Sequence, residues 1–219
     1  TITMGKGRIS KSHFGSGNWA HTPDVAVYEY DPEQAEKLLD EAGLAKGSDG
    51  IRFTMDMHVA TNQAEHLKIM EVLVDQLGTI GIEVIPTPNE KQAFEQLVMF
   101  EWEFDTALRG IATGMDPTGH ATWRAYHSDN IKQKRIVNNW GYANARVDEL
   151  FDTARDQPTL DDMKPLLHEL QQILMSEVAS IPILERFEPY LWSTNFQGEL
   201  PDYLGDWSRV WWVDGQPTR

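Results

Sequence analysis

Residues 51–86 constrain this fold more than any other stretch. "IRFTMDMHV" (51–59) alternates apolar and polar side chains, the period of a strand with one wet face. Residues 61–80 then follow the helical period, with Leu67, Met70, Leu73, Val74 and Leu77 inward and Gly78 and Gly81 closing the helix. "IEVIP" (82–86) is a second, short strand. Two strands joined by a long helix require a crossover connection, so they lie parallel in one sheet. The chain is therefore read as α/β.

Upstream, "YEYDPEQAEKLLDEAGL" (28–44) is a helix with both ends marked. Asp31 is a good N-cap, Pro32 suits the first helical position, Gln34 completes a capping box and Gly43 supplies the stop. Ala35, Leu38, Leu39 and Ala42 fall on one face. Residues 1–27 carry scattered glycines with no period, and a structureless start of that length implies a partner surface that is missing. Downstream, Asn89 caps a helix running to Met99, and "FDTALRG" (104–110) is a further strand. A loop-rich span follows. Helices are expected over 146–154 and 160–178, the start of the latter blurred by Pro165. "SIPILERFEPYLW" is a strand and extended segment, at a sheet edge because of Pro182. Beyond Ser193 the chain reads as irregular. The expected architecture is one mixed sheet flanked by helices.

Composition narrows the function. Among 219 residues, 19 Lys and Arg face 34 Asp and Glu, a net charge of −15. Such a chain repels nucleic acid and anionic membranes, and no basic run tracks phosphates. Cysteine is absent, which removes disulfides, thiolate metal sites and a Cys nucleophile. No apolar run approaches the roughly 18 residues of a membrane span, and there is no signal peptide. The chain opens on Thr1, as a mature form or a piece of something longer would.

Five blocks, in order over about residues 28–190, resemble the family 5 extracellular solute-binding proteins, the oligopeptide- and dipeptide-binding receptors of bacterial ABC importers. They are "YDPEQAEKLLDEAGL", "HLKIMEVLVDQLGTIGIEV", "MDPTGHATW", "GYANARVDELFDTAR" and "HELQQILMSEVASIPIL". The resemblance implies the C-terminal lobe of a periplasmic-binding-protein type II-like fold. Residues 1–27 would be an extended leading segment, 28–192 the α/β solute-binding lobe, and 193–219 an irregular return toward a missing N-terminal lobe. It also implies a periplasmic location, or a lipid anchor outside a Gram-positive cell. The partners would be a small solute (a peptide, or a sugar or opine), the membrane permease and the missing lobe, with no nucleic acid, cofactor, metal or catalysis.

The span from Arg109 to Trp140 is the candidate site, because α/β proteins bind ligands beyond the carboxyl ends of their strands. Arg109, Thr113, Met115, Asp116, Trp123 and Trp140 are the expected ligand-binding residues. Peptide-binding members resembling this chain carry an Asp where Thr113 stands, aligned on Asp116-Pro117, and a Trp where Gly110 stands. That departure puts an ordinary clasp on a peptide amino terminus in question, and Arg109, Thr113 and Trp123 suit a polar or anionic solute better. Trp140 and Tyr142 either stack on a ligand or pack the loop onto the helix at 146–154; packing is the reading for Tyr142. Trp192, Trp207, Trp211 and Trp212 are expected to face the missing lobe.

Competing readings are thinner. His120, His127 and Asp129 match no metal-ligand spacing, and His58 is read as a solvated residue on the strand's wet face. An α/β hydrolase with a site near Asp116, His120 and His127 rests only on a polar loop after a strand, with no Gly-x-Ser-x-Gly. Sugar-, opine- or metal-chelate-binding members of the family are the nearer alternative, and a sensor or chaperone role for the same lobe is not separable by sequence.

Overall fold

A computed structural model of the chain describes Gly5, residues 7–111, Thr118, residues 122–131 and residues 138–186, with the backbone of 196–198 and 210–212. Strand β1 (Gly7–Ile9) precedes helix α1 (Pro32–Glu41), strand β2 (Phe53–Ala60), helix α2 (Ala64–Thr79) and strand β3 (Ile82–Asn89). Helix α3 (Lys91–Glu95) runs directly into a π-helical stretch, Gln96–Glu101, before strand β4 (Thr106–Leu108). Then come α4 (Thr122–Tyr126), α5 (Ala145–Arg155), α6 (Leu160–Ser176) and the strands β5 (Leu184–Arg186), β6 (Phe196–Gly198) and β7 (Val210–Trp212).

The predicted crossover unit is present. β2 is the middle strand of a sheet ordered β3-β2-β4, and both its neighbours run parallel to it. The strands therefore end together, at Ala60, Asn89 and Leu108. β3 continues three residues past Pro86, because as an edge strand it tolerates both Pro86 and Pro88. Parallel and antiparallel pairing both occur, but in separate sheets: β1 pairs antiparallel with β5, and β6 with β7.

α2 covers one face of the sheet, where Met57, Val59, Met70, Ile80, Ile82 and Val84 form a core. α3 covers the other at the carboxyl end, packing Phe94 and Val98 on Ala60. That cover corrects the reading of His58, which is only 5% exposed. Its Nδ1 lies 2.8 Å from the Asn89 side-chain oxygen. Asn89 thus ends β3 and holds His58, while Glu90 takes the N-cap position of α3.

A second core lies among the later helices. Tyr126 from α4, Val147, Leu150, Phe151 and Ala154 from α5, and Leu167, Leu170 and Leu174 from α6 are buried together. Phe14 and Ala20 of the leading segment join them, both fully buried. That corrects the expectation that this segment waits for an absent surface. Gln171, itself fully buried, ties it down. Its side-chain oxygen accepts from Ser12 Oγ (2.8 Å) and the Thr22 amide (3.4 Å), and its Nε2 donates to the Ala20 and Leu167 carbonyls (2.8 and 2.9 Å). Four bonds to one amide leave no buried polar cost.

The helix ends follow their sequence. Asp31 accepts the Gln34 amide at 2.9 Å. Gly43, at φ +80°, lets its own amide reach the Asp40 carbonyl and the Leu44 amide reach that of Leu39, closing the helix with two otherwise orphaned acceptors satisfied. Leu38, expected inward, is half exposed; Ala35 and Leu39 alone rest on the sheet core. α6 starts at Leu160 behind a Thr159 cap, so Pro165 sits in its second turn.

Candidate functional site

Arg109 directly follows β4, on the edge where the three parallel strands end. Its Nη1 donates to Asn139 Oδ1 at 2.6 Å, and its guanidinium carbon lies 5.2 Å from the centre of the Trp140 ring. Asn139 is oriented by its other end, since its Nδ2 donates to the Met99 carbonyl at 3.1 Å. That carbonyl belongs to the π-helical stretch after α3. Burial lowers the affinity of Arg109 for its proton, with Tyr126 acting weakly in the opposite sense.

The loop that presents Asn139 and Trp140 is built by its own residues. Asn138, fully buried, accepts the Tyr142 amide (3.0 Å) and donates to the Tyr142 carbonyl (2.6 Å), so one side chain brackets the turn. Gly141 turns the chain at φ +67°, and a Cβ there would sit 3.4 Å from the Trp102 ring. Trp102 adopts the left-handed conformation itself, φ 62°, at the end of the π-helical stretch. Such conformations in residues other than glycine gather at functional positions. Beyond the turn, Tyr142 Oη donates to Glu177 (2.6 Å) and Asn144 donates to the other oxygen of the same carboxylate (2.8 Å). Burial, then the Glu177 hydrogen bond, pushes the Tyr142 phenol above its ordinary range.

Aromatic rings fill the space behind. Tyr126 lies 5.4 Å from Trp140 and 6.2 Å from Tyr142, the latter edge-on. Its hydroxyl meets Ser180 Oγ at 2.8 Å, and burial pushes its phenol up to about 12. It is a neutral wall at any physiological pH.

The structure therefore brings Arg109 and Trp140 together. Trp123 lies elsewhere: its ring faces His127 at 5.3 Å and is covered by the Arg155 guanidinium at 5.1 Å, against the helical core. Thr113, Met115, Asp116 and His120 lie outside the described residues, as do the side chains of Trp192, Trp207, Trp211 and Trp212. His127 is buried, and its Nδ1 accepts the Asp129 amide at 3.2 Å. Asn139, Asn138, Tyr126 and Trp102 were not singled out by sequence. The Asn-Asn doublet before Trp-Gly was the readable signal for the turn. An open cleft between residues 24–26 and α6 shares none of these residues and is lined by Asp24, Glu169 and Gln172.

The sequence model of the bacterial extracellular solute-binding proteins, family 5 (middle region), matches residues 1–133. The chain belongs to that family. The oligopeptide-binding protein AppA of Bacillus subtilis is 30% identical over 168 residues, covering 72% of this chain and 29% of AppA. This chain thus spans about a third of the length of such relatives. Family 5 structures share its fold. AppA of Bacillus subtilis with a nonapeptide superposes with a TM-score of 0.72 at 21% identity, over 98% of this chain and 44% of AppA. NikZ of Campylobacter jejuni with Ni(L-His) gives 0.73 at 20% identity, over 88% of this chain and 39% of NikZ. The fold implied by the five sequence blocks, part of a periplasmic-binding-protein type II-like receptor, is the one found.

Proposed function

We propose that this chain is part of the solute-capturing receptor of an ABC importer and takes up peptides or a related small polar solute. Residues 28–192 are the solute-binding lobe in this reading. Arg109, Trp140 and the loop at 112–117, with Thr113, Met115 and Asp116, form its half of the pocket, while Trp123 packs against the helical core. A second lobe of the same protein closes over the solute, and the closed form docks on the permease. The protein works outside the cytoplasmic membrane, in a periplasm or tethered by lipid. It does no chemistry on its solute.

The observation that supports this most is the family match together with an arginine–aromatic wall at the carboxyl ends of a parallel sheet, the place where α/β proteins hold ligands. The solutes of relatives vary, from the nonapeptide of AppA to the Ni(L-His) of NikZ. Mass spectrometry of small molecules released from the full-length protein, purified without refolding, tests the proposal. A peptide mixture or one small polar solute is expected. A protein that releases nothing, with unchanged uptake of labelled peptides in a deletion strain, rules it out.

A further inference from the structure

We infer that Ser180 is a positioning residue of the solute site: its hydroxyl, shared between Tyr126 and His13, sets the ring against which Trp140 packs. This rests on the solute-binding reading above and adds a residue that acts on the site through two others.

Ser180 Oγ stands 2.8 Å from Tyr126 Oη and 3.1 Å from His13 Nε2. A serine hydroxyl has one donor and two acceptor sites, so it holds both partners at once. Tyr126 is 3% exposed, and its hydroxyl has to find a partner inside the protein. Among the described residues that partner is Ser180. His13 closes the triangle, its ring meeting the Tyr126 ring edge-on at 5.0 Å. The phenol is thus fixed both at its tip and at its ring.

Tyr126 matters through what packs on it. The Trp140 ring lies 5.4 Å from it and 5.2 Å from the Arg109 guanidinium carbon. The indole N–H of Trp140 is buried without a hydrogen-bond partner among the described residues. No polar bond of that side chain sets the indole's angle, so ring packing sets it. Close-packed interiors transmit strain, and a shift of Tyr126 is passed to Trp140 and to the arginine stacked on it.

The turn that delivers Ser180 is strained. Just past α6, Val178 adopts φ +52°, and the Ala179 amide reaches back to the Leu174 carbonyl at 3.1 Å. Glycine is the usual residue at such a helix end, and a β-branched one there is an outlier. Val178 is 47% exposed, so burial of its own side chain does not offset the strain. What the turn achieves is the placement of Ser180, two residues on, against Tyr126 and His13.

The test uses the full-length protein and titration calorimetry with a panel of peptides of two to nine residues, the tightest binder of the wild type serving as probe. Ser180→Ala should weaken the probe at least about fivefold, and Ser180→Thr, which keeps the hydroxyl, should stay within about twofold of wild type. Tyr126→Phe, which removes the same bond and keeps the ring, should match Ser180→Ala. In a Trp140→Phe background Ser180→Ala should change affinity by less than about twofold, because the residue it acts through is gone. Unchanged binding by folded Ser180→Ala and Tyr126→Phe, or an equal loss with and without Trp140, overturns the inference while the solute-binding reading stands. A wild type that binds no peptide removes the peptide reading instead. The positioning is then read from near-ultraviolet circular dichroism, as the difference between proteins with Trp140 and with Trp140→Phe. That difference should weaken in Ser180→Ala, and an undiminished one overturns the inference.

Discussion

His13 is a base kept neutral by its surroundings. It is 7% exposed, lies edge-on to the Tyr126 ring at 5.0 Å and touches Ser180 Oγ with Nε2 at 3.1 Å, while its Nδ1 is buried without a partner. Burial lowers its pKa from 6.5 to about 4. Between those values the unfolded chain binds a proton that the folded chain does not. Stability therefore rises with pH across that window. It is complete above 6.5 and is lost as pH falls toward 4, by roughly 3 kcal/mol at most. Urea melts of His13→Gln between pH 7 and pH 4 should show a shallower acid loss than wild type; parallel slopes would refute the assignment. His66 and His168 are lowered by burial too, so some slope should persist. Nothing in the sequence marked His13. Its neighbours read as loop, and its burial depends on residues more than a hundred positions away.

The ends of α1 were readable because a cap is a local event. Asp31, Pro32 and Gly43 act on groups within a few residues, and each sits where the spacing put it. α5 behaves alike. Asn144 accepts the Arg146 and Val147 amides (2.9 and 3.2 Å) while giving its own N–H to Glu177. Asn144→Ala should cost about 1–2 kcal/mol in a chemical denaturation curve, more than a cap alone, because Glu177 also loses one of its two donors. A loss under about half a kcal/mol would mean that water replaces the cap. The π-helical stretch and the left-handed Trp102 were not legible. "EQLVMFEW" carries no local signal for them, and both answer to what lies opposite, the Met99 carbonyl reaching Asn139 and the Trp102 ring covering Gly141. The loop beside Arg109 is thus positioned by features that only the tertiary fold reveals.

For the molecule as a whole, sequence periodicity located the parallel sheet and the two late helices but missed the place of the leading segment. Phe14 is fully buried within the helical core, in contact with elements from the far half of the chain. Phe14→Ala should lower stability by about 3–5 kcal/mol, the range for emptying a buried aromatic site, as measured by urea unfolding of the full-length protein. A loss near 1 kcal/mol would mean that the segment is an appendage. The candidate site was half legible for a similar reason. Arg109 and Trp140 could be placed after a strand and on a loop, but their meeting depends on Asn139, which Arg109 reaches across thirty positions of sequence.

The Gln171 clasp also sets an order of events in time. Its bonds to Ser12 and Ala20 span 159 and 151 positions. A ribosome adding about 5–20 residues per second takes roughly 8–30 s to cover that distance. Throughout that interval the first twenty-odd residues have emerged, yet the surface that buries Phe14 does not exist. The helical core cannot be completed by its amino-terminal part alone, so this region gains its final form only when nearly all of it has been made.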